Sequence, residues 1–295
     1  MSTSLASLVD KVRDLLDDYG DTVTVLGAAV TDTTGTSITL DSSDAVSKGD
    51  WLSIDYETML VTDIATGPPY TATVRRGQRG STAATHLIAA SVIVGALYPG
   101  NRILQALNGA LGKMTKLVKD AATLTVTADT FTYAIPATID TVRRIEIENS
   151  DEASQFFVMR DWEMYDSGYF RIFGDYDTSR NIMVVGTSKF TGLTSTTTTI
   201  DSTYPDDNAN AINFLLYEAA GQLLLQRQAK IAGRDSFEGM TDAFAQTVPD
   251  HSVRIARQYL AEAERYRQMA IRQEPVLQAP VAPVQNPGRV YLARL

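Results

Sequence analysis

The chain of 295 residues has two histidines and no cysteine, which narrows its chemistry at once. Thiolate metal sites, disulfides and cysteine nucleophiles are excluded. His86 ends the run Gly80-Ser81-Thr82-Ala83-Ala84-Thr85-His86, and His251 opens a helical stretch. A zinc site wants three or four N, O or S ligands at compact spacing, and neither histidine has a second His nearby. They read as a hydrogen-bonded loop histidine and a helix N-terminal one. Asp161, Glu163 and Asp166 cluster beside Trp162, Tyr165 and Tyr169. Two carboxylates across a sugar, with aromatic platforms, would suit glycoside cleavage. This is the best case for an enzyme, but no spacing fixes the pair. Asp175-Tyr176-Asp177 reads as a turn, since the rest of a calcium loop is missing. Gly77-Gln78-Arg79-Gly80 follows a strand and reads as a strand-to-strand turn, with a phosphate cradle as the alternative. The GxxxxGK[ST], GxGxxG and GxSxG patterns are absent. The expectation is a protein that is not an enzyme and uses no metal or cofactor.

A net charge of −9 argues against a general nucleic-acid binder. An acidic wall would nevertheless let DNA pass without trapping it. Hydrophobic residues at 44% and charged residues at 21% can build a sizeable core. The start, Met1-Ser2-Thr3-Ser4-Leu5, lacks a basic segment followed by an apolar one. No apolar run approaches the roughly 20 residues that span a bilayer. The expected place is the cytoplasm, unless the protein leaves as part of a particle.

The elements that position these residues follow from periodicity. Leu5, Leu8, Val9, Val12, Leu15, Leu16 and Tyr19 form one helical stripe over 1–20, stopped at Gly20. Residues 21–98 alternate with period two in six short runs, Val23–Leu26, Ser37–Leu40, Trp51–Ile54, Met59–Ile64, Ala72–Arg75 and Ser91–Val94. Turn signals between them predict an inserted small β domain. Residues 99–121 read as a second helix, with Ile103, Leu104, Leu107, Ala110, Leu111, Met114, Leu117 and Val118 on its apolar face. A second β domain is predicted over 122–203, and two further helices over 204–273. The fold class expected is α+β: a bundle of about four helices with two inserted antiparallel β regions (small barrel or sandwich) and an extended C-terminal arm.

That arm, 274–295, is rich in proline, which blocks helix and central strand. It also carries Pro275, Val276, Leu277, Val281, Val284, Val290, Tyr291, Leu292 and Leu295, and after Glu274 it has arginines but no acid. Alternating apolar anchors in an extended peptide predict a docking arm that orders on binding; a disordered tail is the alternative. Arg254, Arg257, Arg265 and Arg267 on the last helix are the expected contacts between subunits; a solvated face is the alternative.

The stretch Met59-Leu60-Val61-Thr62-Asp63 through Val74-Arg75-Arg76-Gly77-Gln78-Arg79-Gly80-Ser81-Thr82-Ala83-Ala84-Thr85-His86 resembles a segment of tailed-bacteriophage structural proteins. The wider layout resembles head–tail adaptor (connector) proteins. The resemblance implies a virion protein of the neck, assembled in the bacterial host cytoplasm. It implies a homo-oligomeric ring, dodecameric in that family, that docks beneath the portal protein and links it to a downstream neck or tail protein. The genome DNA would pass through the lumen without specific binding, and no membrane would be involved. Residues 212–272 would form the ring body and 275–295 the portal-contacting arm. Two β insertions exceed what minimal members carry. The alternative is a tail or baseplate component with a carbohydrate-binding β domain, on Trp162 and Tyr165, or a glycan-cleaving enzyme.

Overall fold

The computed structural model describes residues 4–18, 20, 22–42, 46–65, 67–149, 155–174, 176–194, 209–238, 248–273 and 277–278. Among the described residues, sheets of six, five and three strands stand beside four helices. This corrects the expected α+β bundle with two β insertions: the chain is β-rich, and two hydrophobic clusters lie within the sheets. It divides into two compact units, Met1–Leu111 with Gly192–Ala270, and Gly112–Thr191 with Ile271–Leu295.

In the first unit, α1 (Leu5–Leu16) buries Leu5, Leu8, Val9 and Val12. The Ser4 hydroxyl caps it by accepting from the Ser7 N–H at 3.1 Å. The helix ends at Asp17, in the left-handed region at φ 51°, before the predicted stop at Gly20. Asp18, just past the helix end, is buried. Its carboxylate accepts the N–H groups of Leu97 at 3.0 Å and Tyr98 at 2.7 Å.

Strands β1 (Thr22–Val25), β2 (Ser37–Leu40), β3 (Trp51–Ile54), β4 (Glu57–Ile64), β5 (Tyr70–Arg75) and β6 (Ser91–Val94) match the six alternating runs closely. They form an antiparallel sheet in the order β1-β6-β3-β4-β5-β2. The sheet curls until its edges meet. The Gly27 N–H donates to the Thr39 carbonyl at 2.9 Å and the Asp41 N–H to the Val25 carbonyl at 3.0 Å. Inside lie Leu26, Ile38, Leu40, Leu52, Ile54, Met59, Val61, Val74 and Val92.

Helix α2 (Gly100–Leu111) starts against the turn between β3 and β4. A Cβ on Gly100 would lie 2.0 Å from the Asp55 carbonyl oxygen, so only glycine fits. Helices α3 (Ala209–Glu238) and α4 (Val248–Gln273) approach closely at Gly221, where a Cβ would meet Leu260 at 2.8 Å. Ala256, Ala263 and Ala270, seven residues apart, are buried along α4, as a heptad seam requires. The Tyr259 hydroxyl donates to the Leu15 carbonyl at 2.9 Å, tying α4 to α1.

The second unit contains β7 (Thr115–Thr125), β8 (Thr132–Ala134), β9 (Thr141–Glu148), β10 (Phe156–Val158), β11 (Trp162–Asp166), β12 (Tyr169–Ile172), β13 (Asn181–Lys189) and β14 (Leu277–Gln278). Their orders are β10-β9-β13-β7-β14 and β11-β12-β8. Phe170, Ile145, Ile182 and Val184 are at its core, with Tyr133 stacked on Phe170. The helix expected over 99–121 is corrected here: it stops at Leu111, and residues 115–125 pair antiparallel with β13. Thr115, Val118, Thr123 and Thr125 are β-branched and favour a strand. A helical face can be drawn through Leu117 and Val118, but β13 offers the backbone a long antiparallel ladder, shifted in register between Ile182 and Val184. The second compact unit therefore begins at Gly112 and includes β7, ahead of the expected start at 122; residues 195–203 of the predicted region fall outside the described residues.

Candidate functional site

The stretch from Asp55 to His86 closes around an ion cluster in which the Glu57, Arg76 and His86 side chains are buried and Asp55 lies exposed at the edge. The turn between β3 and β4 carries Asp55, and β4 opens with Glu57, whose side chain is fully buried. The Glu57 carboxylate accepts five hydrogen bonds: Arg76 Nε at 2.9 Å, Arg76 Nη2 at 2.6 Å, Gly77 N–H at 3.0 Å, Ala84 N–H at 2.9 Å and His86 Nε2 at 2.9 Å. His86 Nδ1 lies 2.8 Å from Asp55 Oδ2. Arg76 also donates to the carbonyls of Asp32, at 2.8 Å, and Ala84.

Both nitrogens of His86 face carboxylate oxygens, an arrangement that only the imidazolium satisfies as a double donor. Burial opposes that charge, but the hydrogen bonds to Asp55 and Glu57 outweigh it and raise the His86 pKa. Burial likewise works against ionised Glu57. Its bonds from His86, Arg76 and the amides of Ala84 and Gly77 win and bring its pKa down to about 2. Two acids meet two bases, so the cluster is internally neutral. A buried charge pair persists when every lone pair and proton has a partner, and Glu57 meets that condition.

The cluster fixes the loop between β5 and β6. Gly77 and Gly80 take positive φ, as does Arg79 at 53°. The Gly77 amide goes to Glu57, the Gln78 amide to the Thr58 carbonyl at 2.8 Å and the Ser81 amide to the Gln78 carbonyl at 3.0 Å. The amides of Gly77, Gln78 and Ser81 are thus spent within the chain. The Arg79 guanidinium lies over the Trp51 ring at 3.9 Å, and Asn101 Nδ2 donates to the Arg79 carbonyl at 3.2 Å. Beyond His86, a turn held by Ala89 N–H to the Leu26 carbonyl at 2.9 Å presents Leu87 and Ile88, 80% and 62% exposed.

The other sequence-predicted residues are dispersed. Arg254 and Arg257 are exposed on α4. Arg265 pairs with Glu262 at 3.5 Å, and Arg267 with Glu264 at 2.8 Å, both within the helix. Of the arm, Leu277 lies in β14; Pro275, Val276, Val281, Val284, Val290, Tyr291, Leu292 and Leu295 fall outside the described residues. The His251 side chain and Asp175 also fall outside them. Glu163 on β11 stands opposite Arg171 on β12, and Arg171 lies over the Tyr165 ring at 4.1 Å. The Asp166 carboxylate accepts the Ser167 N–H at 2.6 Å and so closes the β11–β12 turn. Trp162 packs against the core of the second unit rather than standing free as a platform.

Sequence reasoning singled out His86 and Arg76 but not Asp55 and Glu57. Their signal was an acid on either side of Tyr56 at a tight hairpin, with Glu57 in phase with the inward residue Met59. Among the described residues no group of three or more His, Asp or Glu is arranged to hold a metal ion. Among them, too, no helix is long and apolar enough to cross a membrane. Comparison of the chain with protein-family models, curated protein sequences and solved structures finds no match.

Proposed function

We propose that this chain is a structural protein of a tailed-phage particle, an adaptor that docks beneath the portal and links it to the tail. The observation that carries this reading is the use made of the virion-like segment. Glu57, Arg76 and His86 face one another in a closed cluster, and the turn they brace displays Leu87 and Ile88. A rigid turn with apolar tips suits an assembly contact, where preorganisation lowers the ordering cost of binding. The arm adds support: Leu277–Gln278 already pairs along β7, so its backbone docks by strand addition. In this reading Arg254 and Arg257 contact neighbouring subunits of a ring, and DNA passes through the lumen.

The test is co-sedimentation with a portal protein of the same phage. Full-length protein should bind, and a variant lacking residues 279–295 should stay folded but lose binding. Full-length protein that ignores the portal would overturn the reading.

One observation favours a second reading, a tail or baseplate protein that binds carbohydrate. Phe131, Phe157, Tyr165 and Tyr169 are exposed in the second unit, and aromatic faces are common sugar platforms. Glycan-array signal abolished by Tyr165→Ala would favour it over the adaptor.

A further inference from the structure

His86 is held between two carboxylates that differ in their freedom. The Glu57 side chain is fully buried and lies 2.9 Å from Nε2, while the Asp55 side chain is 54% exposed and lies 2.8 Å from Nδ1. Only the imidazolium donates to both. Once the ring loses a proton, one nitrogen keeps an N–H and the other turns a lone pair toward an anion. Glu57 has no water to retreat to, and stripping a buried carboxylate of a donor is the costlier choice. The N–H therefore stays on Nε2, and the repulsion falls on Asp55. The backbone there is pinned: Asp55 takes a φ of 49°, in the left-handed region, and its carbonyl oxygen abuts Gly100. The carboxylate itself is the part free to move. A donor without an acceptor lies nearby on α1. The Arg13 side chain is 12% exposed, and among the described residues its Nε–H is buried without a hydrogen-bond partner. The titratable groups around it are Asp10, Asp18, Tyr56 and Asp55. Asp10 is 71% exposed and stands 3.6 Å from Nη1. Asp18 already accepts the N–H groups of Leu97 and Tyr98, one on each oxygen. The Tyr56 hydroxyl stays neutral, its pKa pushed up to about 12 by burial. That leaves Asp55 as the anion for the buried N–H.

We propose that Asp55 is a two-position carboxylate: it bonds His86 while the imidazole is charged and turns to Arg13 when the imidazole is neutral. Besides Asp55, the groups facing His86 are Glu57 from β4 and, through Glu57, Arg76 just past β5. The loop after β5 does not come loose in the exchange, because the His86 N–H and carbonyl both pair with Val30 at 2.9 Å. What changes is the hold on α1. With His86 charged, the β3–β4 turn is tied to the loop. With His86 neutral, it is tied to α1, which the Tyr259 hydroxyl joins to α4. A proton on the loop is thereby read at the N-terminal helix. The exchange stands independently of the adaptor function.

Double-mutant cycles on the full-length protein test this. Arg13→Gln, Asp55→Asn and the double variant are unfolded in urea at about pH 5.5, below the ordinary histidine value, and again above the His86 titration. That titration is read from the ring carbons by NMR in a His251→Gln background. At the lower pH the Arg13–Asp55 coupling in the folding equilibrium should stay within about twofold of none. At the higher pH it should rise to about tenfold, as for groups in contact. In a His86→Gln background it should no longer change with pH. Coupling of equal size at both pH values, or a rise that persists in His86→Gln, overturns the proposal. Crystal structures of the unsubstituted protein at the two pH values give a readout that needs no variant to fold. Asp55 Oδ2 should leave His86 Nδ1 and lie within hydrogen-bond distance of Arg13 Nε at the higher pH. An Asp55 side chain in the same place in both structures overturns the proposal equally.

Discussion

At the scale of single residues, Glu57 is where the fold is most vulnerable. Removing one partner from a buried charge cluster leaves the others unpaired and costs about 3–5 kcal/mol. Glu57→Gln should therefore lower the stability of the first unit by that order, read by urea unfolding. The pH dependence has two limbs. Glu57 has a folded-state pKa of about 2 against an ordinary 4.5, so its contribution is complete above 4.5 and fades as pH falls toward 2. His86 has a raised pKa, so its contribution is complete below the ordinary 6.5 and is lost as pH rises through the higher folded value. The first unit should be most stable between about pH 4.5 and 6.5 on this account. His86→Gln should flatten the alkaline limb of a melting-temperature profile; an unchanged limb would mean the imidazolium is not formed. The sequence marked His86 as a hydrogen-bonded loop residue. It could not reveal its partners, because Asp55 and Glu57 lie about thirty positions away and meet it only when the sheet curls.

At the scale of elements, α1 shows how a helix end can be improved. Asp17 occupies the left-handed region without the freedom of glycine, so Asp17→Gly should raise stability by about 0.5–1 kcal/mol in thermal melts. Gly100 is the opposite case: Gly100→Ala would drive a methyl into the Asp55 carbonyl and should destabilise the first unit by several kcal/mol, on the order of the larger packing defects. Strands β1 to β6 were legible in sequence because each run alternates between clear turn signals. Strand β11 was not read as a strand, since Trp162-Glu163-Met164-Tyr165-Asp166 mixes acids and aromatics without an apolar side in register. Strand β7 was read as helix because Leu111, Met114, Leu117 and Val118 happen to keep helical spacing. Period alone does not decide an element when a neighbouring strand such as β13 supplies the ladder.

At the scale of the whole molecule, the sheets hold two separate hydrophobic clusters, one around Leu52 and Met59 and one around Phe170 and Ile145. Leu52→Ala should lower one calorimetric transition and Phe170→Ala another, each by a few kcal/mol, about 2–5 for such deletions. If both variants shift a single common transition equally, the two units unfold as one. The sequence could not show this partition, because each unit is assembled from two separate stretches, the first from Met1–Leu111 and Gly192–Ala270 and the second from Gly112–Thr191 and Ile271–Leu295. The chain's tryptophans divide the same way: Trp51 lies beneath Arg79 in the first unit, and Trp162 packs on the core of the second. Each unit thus carries its own intrinsic fluorophore. Trp51→Phe leaves an emission spectrum that reports only on the second, and Trp162→Phe one that reports only on the first, so unfolding can be followed optically in either part without an added dye.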